Sequence, residues 1–93
     1  MRFEWDEEKN RLNIQKHGIN FNDVVHMFDY PMIVNLDVHD DYKENRWIGI
    51  GMMKYHIGVV VYTERIGDVI RIISARKANK REVNHYVKNI KNQ

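Results

Sequence analysis

The sequence contains no cysteine, a single proline and a single serine, and no long apolar run. Without cysteine there is no disulfide framework, no redox thiol and no zinc–thiolate centre. One proline and five glycines in 93 residues exclude collagen-like and proline-rich linker architectures. A membrane-spanning helix needs about 18 or more consecutive apolar residues, and none is predicted. The opening MRFEWDEEK is acidic and has no apolar block, so a signal peptide is not predicted either. The phosphate-loop and dinucleotide motifs GxxxxGK(S/T) and GxGxxG do not occur, and the histidines at 17, 26, 39, 56 and 85 never fall into HExxH spacing. Ser74 would have to serve any Ser–His–Asp triad, and it lies in no GxSxG motif. These absences point to a cytoplasmic protein whose chemistry does not rest on a thiol or a nucleotide loop.

What is present is ordinary in amount and uneven in distribution. With 43% hydrophobic and 30% charged residues the composition is globular. The length suits one domain over residues 1–93, burying about 65% of the unfolded chain's surface. The net charge of +2 conceals a split. Residues 1–45 carry five bases against ten acids, a balance of −5, and residues 46–93 carry ten bases against three acids, a balance of +7. A basic half of this kind predicts a face for a polyanion, nucleic acid first among the candidates, with a solvated basic helix as the plainer alternative.

The pattern of elements predicts an α+β domain. Phe3 to Trp5 reads as a short edge strand. Asp6 is placed to cap a helix with Glu7 and Glu8 in its first turn, and Gly18 is placed to end it after His17. The apolar face of that helix is thin, only Leu12 and Ile14. Asn20 caps a second helix with the stripe Phe21, Val24, Val25 and Phe28, which Asp29-Tyr30-Pro31 ends. Strands follow at Met32–Leu36, Arg46–Lys54, Ile57–Arg65 and Val69–Arg76, the last three as an antiparallel meander. Gly49 and Gly51 would admit a close neighbour or a ligand. Asn79 and Glu82 form an Asn version of the capping box at the head of a last helix, whose apolar stripe is Val83, Tyr86, Val87 and Ile90. Helices are expected to pack on the mainly antiparallel sheet.

Three places carry candidate chemistry. Asp37, His39, Asp40 and Asp41 cluster in a polar loop able to hold a cation weakly, although an exposed loop explains them as well. In the last strand a period of two places Ile70, Ile72, Ser74 and Arg76 on one face, with Arg76 at the rim of a pocket. A guanidinium there suits a phosphate, and the alternative is an ion pair with Glu82. Lys16 and His17 precede Gly18. They either satisfy the last carbonyls of the helix or, in a site, supply an anion-stabilising charge and a proton carrier that works near neutral pH. Tyr86 lies on the core stripe with its hydroxyl at the boundary. Trp5, Trp47, Tyr55 and Tyr62 read as core residues, and an exposed one could stack on an unpaired base.

Several runs are similar to one known family. Phe3-Glu4-Trp5-Asp6, Lys9, Asn13, Lys16-His17-Gly18-Ile19 and Phe21 resemble the opening of BrnT-type toxins. Phe28-Asp29-x-Pro31, Arg46-Trp47-Ile48-x-Ile50-Gly51 and Val60 to Arg65 continue the resemblance. It closes with Ile70 to Ala78, Glu82 and Tyr86. Tyr30 departs from the acidic residue common before the proline, and Ile66 beside Gly67 is a second departure. The resemblance implies a toxin of a type II toxin–antitoxin pair with a RelE-like fold. It implies a metal-independent endoribonuclease, with no cofactor, that arrests growth by cutting RNA through attack of the RNA's own 2′-OH, and it leaves open whether that RNA is ribosome-bound mRNA. Its implied partner is a BrnA-type antitoxin with a ribbon-helix-helix-type DNA-binding domain. On that reading Arg76 stabilises the phosphate with support from Arg65, His17 or Tyr86 moves protons, and Lys16 stabilises charge. Glu82 then orients Arg76, while Arg46, Arg71, Lys77, Lys80 and Arg81 follow the RNA backbone. Two other readings use the same charges: a module that binds RNA or the ribosome without cutting, and a basic face that mainly holds the antitoxin.

Overall fold

The computed structural model describes residues 1–37 and 44–91, so His39, Asp40 and Asp41 of the acidic loop lie outside the described residues. Strand β1 (Arg2–Glu4) leads into helix α1 (Glu7–His17), the one-turn helix α2 (Phe21–Val24) and a 3₁₀ helix over Val25–Asp29. Strands β2 (Ile33–Asp37), β3 (Arg46–Met53), β4 (His56–Arg65) and β5 (Val69–Lys77) follow, and helix α3 (Lys80–Lys91) closes the described chain. The sheet has five strands in the order β1-β5-β4-β3-β2. It is mixed: the expected meander is antiparallel, but β1 returns to pair in parallel with β5, Phe3 opposite Ile70.

Local chemistry explains most of these elements. Asp6 accepts from the backbone N–H of Glu8 and Lys9, and Gly18 takes a left-handed φ of 70° while its N–H bonds the Ile14 carbonyl. The stripe after Asn20 does not run as one α-helix. It tightens to a three-residue period, which lines up Phe21, Val24 and Met27 as fully buried residues. At the head of α3 the capping box is complete: Glu82 N–H donates to Asn79 Oδ1 at 2.8 Å, and Asn79 N–H donates to Glu82 Oε1 at 2.9 Å.

The sheet has two unequal faces. One packs Val60, Tyr62, Ile70, Ile72 and Ala75 against Ile19, Phe21, Val24 and Met27, with Trp5, Phe28 and Trp47 around them. Trp5 meets Phe21 edge to face at 6.0 Å, and Phe28 meets Tyr62 in the same way at 5.1 Å. The neighbour that Gly49 and Gly51 admit is the Met32 side chain, whose Cγ would lie 2.6 Å from a Cβ on Gly51. The other face carries a smaller cluster of Ile50, Val59 and Tyr86, with Ile33, Ile48, Ile57 and Ile90. Helix α3 meets the sheet at β2 and β3, so much of the second face stays open towards β5.

Helix α1 is held in an unexpected way. Leu12 and Ile14 are 48% and 41% exposed, and its buried residues are Asn10 and Asn13. Strand β1 pairs with Val69 to Arg71, and among the described residues no strand pairs with the later part of the β5 edge. Asn13 fills that gap. The Ala75 N–H donates to its Oδ1 at 3.0 Å, and its Nδ2 donates to the Ile19 carbonyl at 3.0 Å. Asn10 accepts from the Phe21 N–H at 2.9 Å and donates to Asn20 Oδ1 at 3.2 Å. A helix with little apolar surface is thereby fixed by buried amide hydrogen bonds.

Candidate active site

Strand β5 changes face midway. Val61 pairs with Ser74 but Tyr62 pairs with Ile72, so Ile73 is an extra residue, a β-bulge. Before it, Ile70 and Ile72 point into the main core; after it, Ala75 does. Ser74 and Arg76 therefore point to the opposite, open face. This corrects the expectation that Ile70, Ile72, Ser74 and Arg76 share one side, since the bulge resets the alternation.

On the open face the register lays out three rows. The middle row runs Ser74, Val61, Ile48 and Asn35. On one side of it lie Arg76, Val59, Ile50 and Ile33, partly roofed by Tyr86 of α3. On the other side Arg46 stands opposite Asp37, and Arg71 lies between Thr63 and Glu4. The C-terminal end of α1 brings Lys16 and His17 to the β5 end of the middle row. The result is a hollow of about 360 Å³ lined by Lys16, His17, Ile48, Val59, Val61, Ser74, Ala75 and Arg76. Its floor is apolar and its polar groups stand at the β5 edge. Of the expected catalytic residues, Lys16, His17 and Arg76 meet here.

Arg76 is both paired and available. Its Nη1 and Nη2 donate to Glu82 Oε1 and Oε2 at 2.7 and 2.9 Å, and Nη1 also reaches the Lys77 carbonyl at 3.2 Å. These bonds hold the Glu82 carboxyl below the usual carboxylate range, and they raise the Arg76 pKa further above its already high value. Glu82 occupies the end of the guanidinium formed by the two Nη atoms. The side edge, Nε with the second Nη2 hydrogen, is left to donate to two oxygens of another anion. With its side chain 43% exposed, Arg76 can use that edge. The ion-pair alternative and the phosphate reading of Arg76 are thus compatible.

Other expected residues lie elsewhere. Arg65 pairs with Glu4 at 3.4 Å and Glu44 at 3.7 Å. It is six residues along β4 from Val59, the partner of Arg76, and so about 20 Å from that position. Tyr86 is buried beneath α3, and its hydroxyl donates to the Pro31 carbonyl at 3.0 Å. Lys77 points to the other side of β5, towards a separate hollow with Gly18, Met53 and His56. Arg71 lies 3.7 Å from Glu4. Lys80 and Arg81 stand exposed in the first turn of α3. Tyr55, expected in the core, is 91% exposed between β3 and β4. Residues that sequence reasoning missed are Asn13, which sets the position of Lys16 and His17 over β5, and Ile48 and Val61, which make the floor. Among the described residues no group of three or more His, Asp or Glu side chains is placed to hold a metal ion. Nor does any described helix have the length and apolarity to cross a membrane.

Comparison with known proteins bears on the family and the fold. A sequence model of the ribonuclease toxin BrnT of type II toxin–antitoxin systems matches residues 5–82. The crystal structure of the Brucella abortus ribonuclease toxin BrnT superposes with a TM-score of 0.65 at 26% identity, covering 86% of this chain and 99% of that one. No curated protein sequence is similar enough to add to these two findings.

Proposed function

The chain belongs to the family of BrnT ribonuclease toxins of type II toxin–antitoxin systems, and from that premise we propose that it cuts RNA in the hollow between α1 and the open face of the sheet. The observation that carries this reading is the meeting of Lys16, His17 and Arg76 over an apolar floor. The fold is of the RelE-like type. The RNA lies with a base on Ile48 and Val61 and its phosphate at the β5 edge. The side edge of the Arg76 guanidinium donates to two phosphate oxygens, and Glu82 fixes the direction in which that edge points. The 2′-oxygen attacks the adjacent phosphorus and the bond from phosphorus to the 5′-oxygen breaks. The products are a 2′,3′-cyclic phosphate and a 5′-hydroxyl. His17 takes the proton from the 2′-oxygen and gives it to the leaving 5′-oxygen, and Lys16 stabilises the added negative charge. In this scheme the cations of the site do the charge stabilisation, and no metal is required. Arg46 and Arg71 flank the floor and draw in the RNA backbone.

A type II toxin family implies a protein antitoxin. Our reading is that this is a BrnA-type protein with a ribbon-helix-helix DNA-binding domain, that DNA is met only through it, and that the pair acts in the cytoplasm. The test of the catalytic reading is cleavage of a defined single-stranded RNA in EDTA by the wild type and by Arg76→Ala, with analysis of the product ends. Cyclic phosphate ends that vanish with Arg76→Ala are the expected result. Cleavage by folded Arg76→Ala at the wild-type rate would overturn the assignment. A folded wild type inactive on RNA both alone and on translating ribosomes would overturn the ribonuclease reading itself.

A further inference from the structure

On the outer side of β5 a second hollow of about 220 Å³ shares Lys16, His17 and Ser74 with the first. Its own residues include Lys9, Leu12 and Ile73. Lys9, Leu12 and Lys16 fall at i, i+3 and i+7, so they form one stripe along α1. Leu12 is half exposed without packing into either core cluster. Facing it is Ile73, the extra residue of the bulge, half-buried at the edge of β5. The two hollows are thus alike: each has an aliphatic floor, and both border the same ridge of Lys16, His17 and Ser74. That pattern matches a single strand of RNA, in which flat apolar bases alternate with charged phosphates along the chain.

We propose that the second hollow is a nucleotide subsite. The RNA crosses the β5 edge with its reacting phosphodiester on the ridge, one flanking base over Ile48 and Val61 and the other between Leu12 and Ile73. Lys9 takes the next phosphate outward. The inference rests on the reading of the first hollow as the RNA-cutting site and adds the path by which the strand leaves it. The substrate class is therefore RNA unpaired on both sides of the cut, because a duplexed base could not turn into either hollow.

The test couples one side chain to one base. Binding of 2′-O-methyl hexanucleotides, which cannot be cut, is measured for the wild type, Leu12→Asn and Ile14→Asn, using the intact oligomer and versions with each position abasic in turn. Ile14 is similarly exposed on α1 but lines neither hollow. We expect Leu12→Asn to weaken binding of the intact oligomer about fivefold, the scale for half a leucine side chain, and Ile14→Asn to leave it unchanged. For one abasic position the Leu12→Asn effect should disappear, since the base it contacts is gone. Equal binding by the wild type and Leu12→Asn, or a Leu12→Asn effect that persists at every abasic position, overturns the subsite. Cleavage of unmodified RNA carrying the same sequence, both alone and on translating ribosomes, is scored in parallel. Coupling without cleavage leaves the subsite standing and removes the ribonuclease reading; cleavage without coupling does the reverse.

Discussion

Asn13 offers the sharpest quantitative test of how the site is held. It is 6% exposed and joins two groups, the Ala75 N–H and the Ile19 carbonyl, each at 3.0 Å. Asn13→Ala would leave both without this partner. An unsatisfied buried backbone group costs about 1–3 kcal/mol, so the loss should be about 2–6 kcal/mol. A chain of this length has about 5–14 kcal/mol of stability in all, and the melting temperature should therefore fall by at least about 8 °C. Asn13→Asp separates the two bonds. One oxygen still accepts from Ala75, while the other faces the Ile19 carbonyl. The charged form is repelled and the protonated form donates, so the folded pKa of the new carboxyl lies above its unfolded value. Its stabilising contribution is then present below the ordinary carboxylate pKa and lost as pH rises through the raised folded value. Urea unfolding at pH 7 and at pH 4 should show a smaller gap between wild type and Asn13→Asp at the lower pH. An Asn13→Ala protein within about 0.5 kcal/mol of the wild type, the range of a neutral surface change, would refute the argument that amide bonds hold α1 to the sheet.

Other consequences are open to test. Glu82 has a lowered carboxyl pKa because Arg76 bonds its charged form, so the stability it contributes is present above the ordinary carboxylate range and lost as pH falls through the lowered folded value. Glu82→Gln should flatten that acid-side loss in urea titrations and, at pH 7, reduce RNA cleavage more than it reduces RNA binding. Tyr86→Phe, which removes the bond to Pro31, should lower stability by about 1 kcal/mol and leave cleavage intact; abolished cleavage in a folded protein would return the hydroxyl to the mechanism. Arg65→Ala should keep the cleavage rate within a factor of two or so, given its distance of about 20 Å along the strand from Arg76.

Much of the fold is legible because local signals agree with each other. Asp6, Gly18, Asn20 and the Asn79–Glu82 box mark helix ends through hydrogen bonds made within a few residues. The strand signals of β3 and β4 run over most of their length, and the antiparallel pairing expected for them is found. What is not legible depends on partners distant in the chain. The parallel return of β1 to β5 leaves no trace in a three-residue strand. The bulge at Ile73 is a property of two strands in register, and strict alternation therefore put Arg76 with Ile72. In α1 the apolar residues were read as the buried ones, whereas the free edge of β5 supplies a polar partner that rewards burying Asn13 instead. In the candidate site, strand-end and helix-end positions brought Arg76, Lys16 and His17 into view beside plainer readings, and the structure places the three around one hollow. Tyr86 was read from its place on the last helix, where its hydroxyl bonds Pro31, and Arg65 was drawn in by resemblance and lies well along β4 from Arg76.

The bond from Ala75 to Asn13 spans 62 positions, and this has a bearing on when the protein can act. One wall of the hollow comes from the first fifth of the described chain and the other from β5. A ribosome making this protein releases α1 long before the strand that anchors it. Until β5 emerges, the end of α1 lacks that anchor, and Arg76 does not yet exist to face His17. No partial product lacking β5 can contain the complete hollow. If the hollow is the cutting site, as proposed above, the cell that makes the protein is shielded from it throughout most of its synthesis by topology alone, and an antitoxin need only arrive by the time the last strand joins the sheet.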